Sequence, residues 1–182
     1  MRRLLINCRT LEGIKNILIK DELIDYIGIE KPMHEELVDC SALLVIPGMI
    51  DAHVHVRDIE QCNKETWETA SNAALSGGVT TIIDMPNTIP ATTNLKGLNI
   101  KREAAKKAKV NYKFHLGATE NNLQELHEIL KNKPTDVAGI KVFLAGSSSN
   151  EVVADEDRLK DIFKLAKMYD KVVLVHTEMQ DC

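Results

Sequence analysis

Residues 47–58 read Pro47-Gly48-Met49-Ile50-Asp51-Ala52-His53-Val54-His55-Val56-Arg57-Asp58, and this stretch decides the architecture. The Pro-Gly pair punctuates the chain. Beyond it, apolar Ile50, Ala52, Val54 and Val56 alternate with His53 and His55, which predicts a strand over 49–56 with both imidazoles on one face. Two imidazoles leaving one strand face suit a metal ion. Arg57, which follows at once, is a binder of carboxylate or phosphate. Three polar groups that are costly to desolvate, at the end of a strand expected to be buried, imply a site.

Downstream of this strand the hydrophobic period switches back and forth between 3.6 and 2 residues. Helices are predicted over 65–76, with Trp67, Ala70 and Ala74 on one face, and over 95–109. Two more are predicted over 121–131, with Leu123, Leu126 and Leu130 in register, and over 156–169, with Leu159, Ile162, Phe163 and Ala166 facing inward. Strands fall between them at 79–85, 111–118, 137–144 and 171–176. Strict alternation predicts an α/β fold with a parallel sheet and right-handed crossovers. Five strands and four helices are either an open sheet or the front part of a (β/α)8 barrel, which typically takes about 250 residues.

Upstream, short strands are predicted at 3–7, 16–20, 23–29 and 37–45, broken by Glu12-Gly13, Lys20-Asp21-Glu22 and Glu30-Lys31-Pro32. They make a small β unit resembling a sandwich. The expected division is therefore a β domain over 1–46 and a larger α/β domain over 47–182.

Bulk properties narrow the function classes. The 182 residues are 44% hydrophobic and only 4% aromatic, ordinary for a globular α/β chain. A formal charge of −4 leaves no basic footprint for nucleic acid, and the Lys/Arg cluster over 101–109 is expected on the solvated face of its helix. No apolar run approaches a signal peptide or a membrane span, so a cytoplasmic location is expected. Cys8, Cys40, Cys62 and Cys182 are scattered, with neither disulfide nor thiolate-metal spacing.

Parallel α/β architectures collect reactive groups at the carboxyl ends of their strands. His53, His55 and Arg57 end the first strand of the alternation, Asn87 follows the second, Lys141 lies in the fourth and His176 ends the fifth. A lysine between apolar neighbours tends to lose its proton, which frees the amine for chemistry. Taken alone, Asn87 reads as a turn residue after proline. His34 and His127 read as surface residues. His115 is either a satisfied core group or a neighbour of the site.

Four segments bring in a resemblance: His53-Val54-His55-Val56-Arg57-Asp58, Gly77-Gly78-Val79-Thr80-Thr81, Met85-Pro86-Asn87-Thr88-Ile89-Pro90-Ala91-Thr92-Thr93 and Gly139-Ile140-Lys141-Val142-Phe143-Leu144-Ala145-Gly146-Ser147-Ser148. In order and spacing the chain resembles the front of a dihydroorotase, within the amidohydrolase superfamily. The Met85-Pro86-Asn87-Thr88 segment separates this reading from hydantoinases and allantoinases. The resemblance implies a barrel whose first five strands are present, and two Zn²⁺ ions held by His53, His55 and His176 and bridged by an N-carboxylated Lys141. It implies a small-molecule reaction, the interconversion of N-carbamoyl-L-aspartate and L-dihydroorotate in pyrimidine biosynthesis, with a metal-activated water as nucleophile. Arg57 and Asn87 would then hold the free α-carboxylate of the substrate.

Two departures qualify the resemblance. Ile59-Glu60 stands where the family commonly has Pro-Gly after Arg-Asp. The family's remaining metal histidine and its catalytic aspartate belong to the sixth and eighth strands, and no residue here matches either, so no catalytic residue is identified in this chain. Turnover by the chain itself would require Asp51, Asp84 or Glu178 to supply the missing carboxylate. The alternatives are a hydantoinase or allantoinase, or a metal-binding remnant without catalysis. The donor set would also accept Co²⁺, Mn²⁺ or Fe²⁺. An unclosed sheet leaves apolar faces and a strand edge for which a homo-oligomer is one cover.

Overall fold

The structure, a computed structural model, describes residues 1–146 and 151–178. The chain divides into two compact units, Met1–Pro47 and Gly48–Cys182.

The first unit is a four-stranded sheet of β1 (Arg2–Thr10), β2 (Gly13–Lys20), β3 (Leu23–Gly28) and β4 (Glu36–Asp39), ordered β3-β2-β1-β4. β1, β2 and β3 pair antiparallel, and β4 runs parallel to β1. The turn between β2 and β3 puts Asp21 and Glu22 at positive φ, the backbone that a tight hairpin requires. A register shift between Leu5 and Cys8, with Asn7 at positive φ, breaks the alternation of β1. Leu4 and Ile6 therefore join Leu18 and Tyr26 in one cluster, while Cys8 joins Ile17 and Cys40 in another.

The strand expected over 37–45 is shorter than its sequence implied. It stops at Asp39, whose Oδ1 accepts from the Ser41 amide at 3.0 Å and turns the chain. Pairing to β1 resumes only as a single bridge between Arg9 and Leu44.

The second unit alternates strictly: β5 (Met49–Val54), α1 (Trp67–Ser76), β6 (Val79–Asp84), α2 (Leu95–Ala105), β7 (Asn111–Gly117), α3 (Leu123–Leu130), β8 (Val137–Phe143), α4 (Glu156–Met168) and β9 (Val172–His176). The five strands pair parallel in the order β5-β6-β7-β8-β9. Sequential order with a helix in each crossover makes this curled sheet part of a (β/α)8 barrel. Helix starts are set by local chemistry: Thr66 and Thr69 form a reciprocal capping box for α1, while Asn94 and Asp155 cap α2 and α4.

One sheet face is apolar. Val56, Ile82, Phe114, Leu116, Ile140 and Val142 pack with Trp67, Leu98, Leu126 and Ile162 from the helices. The residues alternating with these on the strands (His53 and His55, His115, Gly139 and Lys141, His176) leave by the other face. Gly139 is required on that face: a Cβ there would meet the Val172 carbonyl oxygen at 2.7 Å and His115 Nδ1 at 3.2 Å. Period alone therefore sorts the core from the polar face before any pair of side chains is considered.

Three expectations are corrected. Phe163 does not face inward but is 46% exposed, because the buried stripe of α4 runs through Ile162, Leu165 and Ala166 and leaves it on the flank. The cluster over 101–109 is not wholly solvated, since Lys101 is fully buried and paired with Asp84 at 2.7 Å. β5, expected to be buried, lies at an edge of the sheet and is exposed over most of its length.

Arg102, one residue beyond Lys101, points to the loop before β8 and grips Asp136 with two parallel bonds, Nε to Oδ2 at 2.6 Å and Nη2 to Oδ1 at 2.8 Å. Hydrogen bonding to Arg102 holds the Asp136 carboxyl below its ordinary value of 3.8. A depressed carboxylate stabilises the fold above its unfolded pKa and loses that contribution as pH falls through the folded one. Asp136→Asn should therefore cost about 0.5–1 kcal/mol at neutral pH. In urea titrations the difference from wild type should shrink steadily below pH 3.8. A difference that does not change with acidification would contradict the pairing.

Candidate metal centre

β5 ends where its pairing to β6 becomes irregular, between Asp51 and Val54, and there His53 and His55 stand with ring centroids 5.4 Å apart. Asp51 Oδ1 accepts from the His53 amide at 3.0 Å and braces the turn of the strand. His55 Nδ1 lies 2.8 Å from Asn87 Oδ1. With a carbonyl oxygen as partner, Nδ1 carries the proton and Nε2 keeps its lone pair, the tautomer that a ligating imidazole needs. Partial burial holds the His55 pKa below the ordinary imidazole value, with Asn87 pulling the other way. Burial thus favours the neutral ring.

Arg57 follows at positive φ, as do Asp58 and Ile59, with φ of 68°, 48° and 56°. Three such residues in a row are costly, most of all β-branched Ile59. Side-chain bonds hold the turn: Asp58 caps a short 3₁₀ helix over Ile59–Gln61 and accepts from the Trp67 amide at 2.8 Å. This is how Ile59-Glu60 is accommodated where Pro-Gly is usual. Arg57 Nη1 donates to the Asn87 backbone carbonyl at 2.6 Å. Asn87 therefore meets both His55 and Arg57, an arrangement its sequence context as a turn residue did not reveal.

Lys141 sits three strands away, on β8, and is 2% exposed. Among the described residues no carboxylate pairs with it, and its Nζ lies 4.8 Å from the centroid of the Phe143 ring. Burial pushes its pKa down. Phe143 in turn stands 5.8 Å from the exposed His176 ring, whose Nε2 is 3.0 Å from Glu178 Oε2. The sequence-derived residues thus form two groups, His53, His55, Arg57 and Asn87 on one side and Lys141 and His176 on the other.

His115 proves to be a neighbour of the first group. Its Nε2 lies 3.2 Å from the Ala52 carbonyl, next to His53, while its buried Nδ1 has no hydrogen-bond partner among the described residues. Burial holds its pKa below the ordinary value. Lys101 was missed by sequence reasoning, because a lysine in a basic helix reads as solvated when taken alone, and Asp84, named only as a conceivable source of the missing carboxylate, was not expected to pair with it. Among the described residues no three His, Cys, Asp or Glu side chains converge closely enough to cage a metal by themselves. Even so, the donor chemistry suits a divalent ion: two adjacent imidazoles, one with its lone pair fixed, and a buried amine that has no counter-charge among the described residues.

Asp51, Asp84 and Glu178 are all engaged, with the His53 amide, Lys101 and His176 respectively. None is poised as a free proton shuttle. No helix among the described residues is long and apolar enough to cross a membrane.

Comparison with known proteins gives the family. A dihydroorotase of Methanosphaera stadtmanae is 36% identical over 178 residues, covering 94% of this chain and 39% of that protein. An allantoinase of Escherichia coli O1:K1 is 34% identical over 172 residues, covering 91% of this chain and 37% of its own. The solved L-hydantoinase (dihydropyrimidinase) of Arthrobacter aurescens superposes with a TM-score of 0.88 at 31% identity, over 97% of this chain and 41% of that one. The chain thus spans about two fifths of the length of these relatives. The amidohydrolase family pattern matches residues 44–181, from the end of the first unit through all five barrel strands, and the chain belongs to that family.

Proposed function

We propose that this chain is the front of a dihydroorotase-type cyclic amidohydrolase that interconverts N-carbamoyl-L-aspartate and L-dihydroorotate. The observation that carries the reading is the coupling of Arg57 to the histidine pair through Asn87, at 2.6 Å and 2.8 Å. A guanidinium fixed beside a metal-type imidazole suits a substrate that presents a carboxylate next to the amide to be cleaved.

His53, His55 and His176 would hold the ions together with Lys141 as its carbamate. Carbamate formation joins the amine to CO₂ and releases a proton, so it needs an uncharged lysine, and burial of Lys141 favours that form. When bound, such ions would supply Lewis acidity, polarising an amide carbonyl and easing the deprotonation of water. The chain's own residues do the rest: Asn87 fixes the His55 tautomer, and Arg57 with Asn87 orients the carboxylate. Among the described residues none is poised to carry the proton between the attacking water and the ring nitrogen, and the further three fifths of the relatives' length have no counterpart in this chain. The 182-residue chain by itself is accordingly expected to show no turnover.

Allantoinase or hydantoinase chemistry is the second reading, favoured by the 0.88 TM-score to a hydantoinase. Assaying the full-length protein with L-dihydroorotate, allantoin and hydantoin separates them. Arg57→Met should cost about 1.5–3 kcal/mol in kcat/KM for dihydroorotate, chiefly through KM. Unchanged kinetics in that variant, or turnover of hydantoin without turnover of dihydroorotate, would favour the sister enzymes.

A further inference from the structure

Asp84 and Lys101 are both fully buried, yet neither has a part in the chemistry above. Their ion pair closes at 2.7 Å between the end of β6 and the middle of α2. A buried ion pair is seldom more stable than well-packed apolar residues of the same volume, so stability alone does not account for it. Its remaining polar atoms do. Asp84 Oδ1 accepts from the Val56 amide at 2.8 Å, just beyond the end of β5 and between His55 and Arg57. Lys101 Nζ donates to the Met85 carbonyl at 2.6 Å, at the head of Met85-Pro86-Asn87. The Met85 amide meanwhile donates to the Val54 carbonyl at 2.8 Å.

The segments that carry His55 and Arg57, and Asn87, leave the sheet side by side at the last paired residues, Val54 and Asp84. Beyond that point they have no strand ladder to hold them. The three consecutive positive-φ residues Arg57, Asp58 and Ile59 begin one residue past Val56, so the chain there needs an external hold.

We propose that the buried Asp84–Lys101 pair is a positioning clamp: one end fixes the Val56 amide and the other the Met85 carbonyl, setting His55 and Arg57 against Asn87. Asp84 acts as an acceptor for the backbone, not as a proton shuttle. The importance of this positioning for catalysis rests on the function proposed above, whereas the clamp itself rests on the hydrogen bonds.

Two double variants of the 182-residue chain test it. Asp84→Asn/Lys101→Met removes both charges and keeps an oxygen for the Val56 amide. Asp84→Leu/Lys101→Met removes the charges and the acceptor. Amide hydrogen exchange is read at Val56, with Phe114 and Ile140 as core references, together with the ¹⁵N signature of the His55 tautomer. In the leucine variant, Val56 should exchange about fivefold to tenfold faster and the His55 tautomer should become mixed, with the references unchanged. The asparagine variant should restore Val56 exchange but the His55 tautomer only in part, because both variants lose the Lys101 bond to the Met85 carbonyl. Should the leucine variant not fold, Asp84→Ser/Lys101→Met replaces it, since serine is too short to reach the amide.

Titration with Co²⁺ alone adds the functional arm: uptake by the leucine variant should be about tenfold weaker than by the asparagine variant. Val56 exchange equal to wild type, or faster only in step with the references, overturns the clamp. So does faster exchange with unchanged Co²⁺ affinity. A wild-type chain that takes up no Co²⁺ instead contradicts the metal reading, and the exchange data then decide the clamp by themselves.

Discussion

Lys141→Met is expected to leave the fold at least as stable as wild type while removing the capacity for two metal ions. Lys141 is 2% exposed, lies over the Phe143 ring and has no carboxylate partner among the described residues. Methionine fills nearly the same volume and removes an amine that is costly to bury, so little packing is lost. The carbamate, however, has no substitute in a thioether. Metal analysis of the full-length protein should fall from two ions to at most one, and activity should fall with it. In Lys141→Ala, where the side-chain volume is vacated, short carboxylic acids should restore part of both. Full metal content and activity in either variant would remove Lys141 from the site.

The largest loss of stability is expected from Lys101→Met. This substitution leaves the Asp84 carboxylate fully buried without its cation. Breaking one side of a buried pair typically costs about 3–5 kcal/mol. Adding Asp84→Asn removes the stranded charge and should return most of that loss. Denaturant unfolding measures both, and a single variant as stable as the double one would show that the two charges are not energetically coupled. The contrast with Lys141 is instructive: of the two buried lysines among the described residues, the one paired with a carboxylate is structural and the one with no carboxylate partner there is the reactive candidate.

The fold was legible because it rests on periodicity. The apolar positions of β7, β8, α3 and α4 recur at intervals that only one element type satisfies, and the alternation of types dictates a parallel sheet. Element ends were less legible, because they are set by single side chains: Asp39 turns β4 early and Thr66 starts α1 at Trp67. Of the candidate site, His53 and His55 could be named from their shared strand face, while metal roles for Lys141 and His176 came from the resemblance. Asn87 was named, but its contact with His55 was not foreseen, since a bond between residues 32 apart leaves no local pattern. Lys101 was misread for the same reason: it begins a run rich in lysine and arginine, and only the end of β6 reveals its partner.

Metal dependence of ring opening in the full-length protein tests the central claim most directly. The protein would be stripped with a chelator, assayed with L-dihydroorotate, and assayed again after Zn²⁺ is restored. The account predicts that turnover disappears on stripping and returns with the metal. Turnover of dihydroorotate that survives metal removal would contradict it, as would a reconstituted protein that opens hydantoin or allantoin but leaves dihydroorotate intact.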